Sequence, residues 1–82
     1  MASDGAEPGT HSRSYFIRMD PGAVGSVHTH GHVEHCLVVE GDFQVAGRKM
    51  RAGDYHRAGR GSIHVGNRTV GGCLLLLVES DA

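Results

Sequence analysis

Tryptophan is absent from this chain, and proline, cysteine and aromatic residues are scarce: two Pro, two Cys, two Tyr and two Phe. Cys36 and Cys73 are too few for a disulfide framework and do not form a CxxC pair. No apolar run could cross a bilayer: the longest, Cys73–Val78, has six residues against the roughly 20 that a helical span requires. The N-terminus shows no basic segment followed by an apolar core, so no secretory signal is read there. With so few cysteines, the expected compartment is the cytoplasm. Charge of one sign is lacking as well. Eight Lys+Arg stand against nine Asp+Glu, a formal charge of −1 with no basic block, which argues against nucleic acid and membrane surfaces as partners.

No long stretch carries a 3.6-residue apolar period, whereas glycine occurs 13 times. Short strands separated by many turns are therefore expected, and the class is all-β. At 82 residues there is room for one core. Residues 1–12 lack hydrophobic alternation and read as a flexible tail, leaving a single domain over 13–82. A chain this short buries only about 60–65% of its unfolded surface, so metal, dimerisation or both are its expected supports.

Strands are expected over Ser14–Arg18, Val27–His30, Glu34–Glu40, Phe43–Val45, Lys49–Arg51, Tyr55–Ala58, Ser62–Val65 and Cys73–Val78. Glu40-Gly41-Asp42 reads as a tight hairpin connection. In Glu34–Glu40 one face carries Glu34, Cys36 and Val38, and the other carries His35, Leu37 and Val39. Both faces of this strand and of Cys73–Val78 bear apolar residues. An isolated barrel of this size would leave one of them exposed, so a homodimer is expected.

The densest polar cluster is His28-Thr29-His30-Gly31-His32-Val33-Glu34. His28 and His30 are two apart, which on a strand points both imidazoles to one side. Gly31 lets the chain turn before Glu34. Two neutral imidazoles and a carboxylate facing one volume form a coordination shell for a divalent metal. A His-x-His pair alone is more often a surface feature, so the spacing must decide.

Gly22-(x5)-His28-x-His30-(x3)-Glu34-(x6)-Gly41 resembles the first cupin motif at every fixed position. Gly53-(x5)-Gly59-x-Gly61-(x2)-His64 resembles the second, with Gly59 in place of the usual Pro and Arg68 where the motif has Asn, Asn67 lying one place early. The resemblance implies a double-stranded β-helix, the small jelly-roll barrel of cupins. It also implies four metal ligands facing one lumen: His28, His30, Glu34 and His64. One divalent transition metal (Zn, Fe, Mn, Ni or Cu) would be the cofactor. Gly53-Asp54-Tyr55, Gly61-Ser62-x-His64 and Gly72-Cys73-Leu74-Leu75-Leu76 further resemble ChrR-type cupins, the zinc-binding C-terminal domains of some anti-sigma factors.

Among the remaining polar residues, His32 is read as exposed, His35 as outward-facing and His56 as solvated. Cys36 is read as a small core hydrophobe, with a thiol lining the cavity as the alternative. Phe43 and Tyr55 are the aromatic candidates for cavity walls, with core packing as the equal alternative. The expected function is a metal-dependent enzyme of dioxygenase, isomerase or lyase type, acting on a small oxygen-rich molecule in the lumen. The alternative is a zinc-binding sensory or regulatory domain of ChrR type without catalysis.

Overall fold

The computed structural model describes residues 12–25, 28–29, 31–61, 63–64 and 66–80; the side chains of residues 28–29 and 63–64 lie outside that description. Among the described residues the chain is all-β, with strands β1 (Ser12–Met19), β2 (His28–Thr29), β3 (Val33–Val45), β4 (Arg48–Arg51), β5 (Tyr55–Ala58), β6 (Ile63–His64) and β7 (Cys73–Ser80). The larger sheet runs β1-β7-β3-β4, with β5 also paired to β3. β2 and β6 form a separate antiparallel ribbon. This all-antiparallel arrangement agrees with the small jelly-roll barrel that the sequence resemblance implies.

β7 holds four consecutive leucines, a residue that favours helix in isolation. It is a strand because it lies between two partners. β1 pairs along its whole length, from Ser12↔Ser80 to Met19↔Cys73, and β3 pairs on its other edge. Every backbone donor and acceptor can then be met laterally. Side chains alternate accordingly: Cys73, Leu75 and Leu77 are buried, and Leu74, Leu76 and Val78 are half-buried. The buried set joins Cys36, Val38, Phe43, Val45 and Met50 in one core.

β3 departs from the sequence expectation. The hairpin expected at Glu40-Gly41-Asp42 does not form, and the strand runs through to Val45. The tight turn lies at Ala46-Gly47, both with positive φ (50° and 80°), the geometry of a two-residue hairpin into β4. Gly41 serves another purpose. Its φ is +83°, and a Cβ there would stand 2.0 Å from the Gly72 carbonyl oxygen. Glycine is required because two backbones meet, and the β3–β7 register slips at the same place, between Val38 and Glu40.

Asp42 then fastens the approach. Its carboxylate accepts hydrogen bonds from the Val70 and Gly71 amides, each at 2.8 Å. The Thr69 hydroxyl donates to the Asp42 carbonyl at 2.6 Å and accepts from the Gly72 amide at 3.0 Å. The two amide bonds to its charged form hold the Asp42 carboxyl below the ordinary carboxylate range.

The two faces of the large sheet differ. Glu34, Cys36 and Val38 point into the core, as alternation requires. On the outer face, cross-strand pairing aligns Phe16, Leu76, Leu37 and Tyr55 in one row over β1, β7, β3 and β5. Phe16 is 64% and Tyr55 50% exposed, so the described part of the chain does not cover this face.

Gly41→Ala should cost at least about 2 kcal/mol, combining the left-handed φ with the clash at Gly72. A thermal melt checks it: the midpoint should fall by roughly 10 °C, and an unchanged midpoint would refute the role assigned to Gly41.

Candidate metal centre and cavity

The inner sheet face lines an open cavity of about 460 Å3. Tyr15, Ile17 and Met19 of β1 enter from one strand, and Leu75, Leu77 and Glu79 of β7 from the next. β3 contributes Glu34, Cys36, Phe43 and Val45, and β5 contributes His56. Gly25 and Asn67 come from the connecting segments. The two-residue period of each strand selects these side chains and sends their neighbours outward.

The cavity contains Glu34, which is only 5% exposed. His28 and His64 are register partners in the β2–β6 ribbon, so the first motif and the second meet directly across one pair of strands. His30 lies outside the described residues, as do the His28 and His64 side chains. Among the described residues no group of three or more His, Cys, Asp and Glu is placed to hold a metal. The donor types fit one nonetheless. A buried carboxylate is favoured beside a cation, and histidines at paired positions of two strands would supply nitrogen donors.

Sequence reasoning missed several residues around Glu34. Glu79 is its direct partner on β7, and Arg13 is the partner of Glu79 on β1, so one row reads Arg13–Glu79–Glu34–Ala58. The Tyr15 hydroxyl donates to Glu79 Oε2 at 2.8 Å, and Arg13 Nη2 meets Oε1 at 3.1 Å. The Arg13 guanidinium also sits 5.0 Å from the centre of the Tyr15 ring. Burial, followed by the hydrogen bond to Glu79, raises the Tyr15 phenol above its ordinary value. The signal available was parity: Glu79 shares its phase with Cys73, Leu75 and Leu77, and Tyr15 shares it with Ile17.

Two expectations need correction. His56 is not simply solvated: it lines the cavity, where burial and then Arg48 lower its pKa. Tyr55 is no cavity wall, because it falls on the outer phase of β5. There it stacks on His35 with ring centres 5.8 Å apart, and its hydroxyl is hydrogen-bonded to His35 Nδ1. Phe43 lines the cavity, His32 is exposed and His35 faces outward, as expected.

Cys36 joins both of its anticipated settings, the core and the cavity wall. Burial, then the Glu34 carboxylate and Cys73, push its thiol up to about 12. A thiol in that setting is a poor nucleophile. Iodoacetamide at pH 8 should therefore leave Cys36 unmodified in the folded protein and alkylate it in urea. Rapid native-state alkylation, read by mass spectrometry, would contradict this placement.

The family model described as ChrR Cupin-like domain matches residues 5–81. No curated protein matches the sequence. An RmlC-like cupin from Shewanella frigidimarina shares 33% identity at a TM-score of 0.76, over 87% of this chain and 67% of that one. The structure of Rhodobacter sphaeroides SigE in complex with the anti-sigma ChrR aligns at 21% identity and TM-score 0.77, over 84% of this chain and 38% of that one. An acetylacetone dioxygenase from Acinetobacter johnsonii aligns at 16% identity and TM-score 0.78, over 90% and 54%. This chain thus spans little more than a third of the second protein and about half of the third.

Proposed function

Since the chain belongs to the ChrR cupin-like domain family, we propose that it is a metal-dependent enzyme acting on a small molecule in the barrel cavity. The ligands are His28, His30, Glu34 and His64. The observation that carries this reading is the buried Glu34 carboxylate in a cavity of about 460 Å3, in a chain where His28 and His64 are register partners on adjacent strands. A divalent metal held there would leave one or two positions for an oxygen ligand and supply Lewis-acid or one-electron chemistry. The protein's own contribution is an apolar part of the wall, with Leu75, Leu77 and Phe43, and a second carboxylate. Arg13 and Tyr15 hold the Glu79 carboxylate beside Glu34, where it can accept a proton from a bound molecule.

A second reading is a zinc-binding sensory or regulatory domain without turnover. Its support is the family itself and the ChrR structure, in which that protein is bound to SigE.

His28→Ala and His64→Ala are each expected to abolish tight metal binding and to lower the melting temperature, because ligation energy is partly folding energy. Metal analysis of protein purified without chelator, with a thermal melt, checks both. Full occupancy in either variant would remove that residue from the site. Turnover of chelating diketones that follows Fe, Mn or Cu loading supports the enzyme. Tight zinc without turnover supports the regulatory domain, and the absence of any metal sinks both.

A homodimer is also proposed, through the outer face. The row Phe16–Leu76–Leu37–Tyr55 is bordered by the Arg18–Glu40 ion pair on one side and Arg57 on the other. An apolar centre with a charged rim is the anatomy of an interface. Leu37→Glu should convert a dimer to a monomer in sedimentation equilibrium; a monomeric parent at high concentration would refute the proposal.

A further inference from the structure

The chain has no basic run, yet its cations are unevenly placed. Arg48, Lys49, Arg51, Arg57, Arg60 and Arg68 are six of its eight Lys and Arg, and the stretch 48–68 holds a single carboxylate, Asp54. Cross-strand pairing gathers three of these cations. Val24, Arg68, Gln44 and Lys49 are successive register partners, so their side chains form one row on one face. Arg51 lies two residues beyond Lys49 on that face, opposite Asp42. The alternate phase, with Phe43, Val45, Met50, Asn67 and Thr69, is buried, so the row looks outward. With strands about 4.8 Å apart and residues about 3.3 Å apart along them, the backbones of Lys49, Arg51 and Arg68 lie within roughly 12 Å of one another.

All three side chains are exposed, and none makes an ion pair among the described residues. The two carboxylates close by are turned to backbone instead. Asp42 accepts from the Val70 and Gly71 amides, and Asp54 Oδ2 accepts from the Arg51 amide at 3.0 Å. The ammonium and guanidinium donors thus remain for a ligand. Val24 and Val70 border the same face and are 74% and 62% exposed.

That composition discriminates among anionic partners. Strong nucleic-acid binding draws on about six to ten phosphate contacts, and single strands are held by aromatic stacking; the row has three cations and no aromatic side chain. Anionic lipid surfaces are read by clusters of about four to eight cations. A second copy is no match either: among the described residues Glu40 is paired with Arg18, Glu79 with Arg13, and Glu34 is buried. Carboxylates interleaved with apolar side chains fit both halves of the face.

We propose that this face is a docking site for an acidic, partly apolar segment of another protein. Its carboxylates meet Lys49, Arg51 and Arg68, and its apolar side chains cover Val24 and Val70. Gln44 is seven residues along β3 from Leu37, roughly 20 Å, so the site is separate from the proposed dimer face. It goes beyond the metal reading and stands whichever way the cavity is used.

The test is binding of labelled probes to the full chain, with the contact mapped by NMR. The probes are a short peptide alternating glutamate with valine, a glutamate–serine peptide of equal charge, a single-stranded oligonucleotide of equal charge and phosphatidylserine vesicles. The glutamate–valine peptide should shift the amides of Val24, Lys49, Arg51, Arg68 and Val70. It should bind roughly three- to tenfold more tightly than the glutamate–serine peptide. Its affinity should fall as NaCl rises from about 50 to about 300 mM. Lys49→Glu and Arg68→Glu should each weaken it at least about fivefold, and Val24→Ser with Val70→Ser should level the two peptides. Arg57→Glu, outside the row, should change it less than about twofold. Melting curves establish that the variants fold. No binding of the peptide, amide shifts elsewhere, or tighter binding of oligonucleotide or vesicles through the same amides would overturn the proposal. So would an equal loss in Arg57→Glu, because net charge and not the row would then be responsible.

Discussion

The antiparallel pairing of β3 with β7 is the constraint on which the rest depends. Its register sets Glu34 beside Glu79 and Cys36 beside Leu77, so it decides which side chains face the cavity and which face outward. A slip of one residue would turn Glu34 out of the core and His35 into it. The register is protected at its weak point, where β3 must leave β7 and continue with β4. Gly41 permits backbone contact with Gly72, and Asp42 ties down the amides of Val70 and Gly71. β3 pairs with β5 over Glu34–Leu37 and with β4 over Asp42–Val45.

Within that frame the polar and apolar parts of the cavity are segregated. The charged row Arg13–Glu79–Glu34 lies at one end of the strands, and Leu75, Phe43 and Val45 lie further in. The separation has consequences for both proposed functions. An enzyme would use the carboxylate end for chemistry and the apolar end for selection. A regulatory domain would use the same carboxylate end to hold metal, with the apolar end serving mainly as core.

Much of the fold was legible in one dimension because alternation is a local property. The grouping of Glu34, Cys36 and Val38 on one face could be read from spacing alone, but both faces bear apolar residues, and only the structure shows that this one is buried while Leu37 and Val39 are exposed. The hairpin expected at Glu40-Gly41-Asp42 was misread because glycine with an acidic neighbour signals a turn and a close backbone approach equally well. Which applies depends on what lies opposite, and Gly72 is about thirty positions away. His56 and Tyr55 were assigned to the wrong settings for a related reason. Each phase of their strand mixes a polar residue with an aromatic or apolar one (Tyr55 with Arg57, His56 with Ala58), so its sequence does not say which side meets the core.

The sequence by itself determined the all-β class, because short alternating segments between turn residues follow from residue type at fixed separation, and it carried the spaced motifs by which the chain resembles its family. Only the tertiary structure decided that Glu79, Tyr15 and Arg13 stand around Glu34, that His56 and Asn67 reach the cavity, and that the outer row from Phe16 to Tyr55 is uncovered by the described chain. These are matters of cross-strand register between segments far apart in the chain, and register is fixed by how whole strands pair and pack.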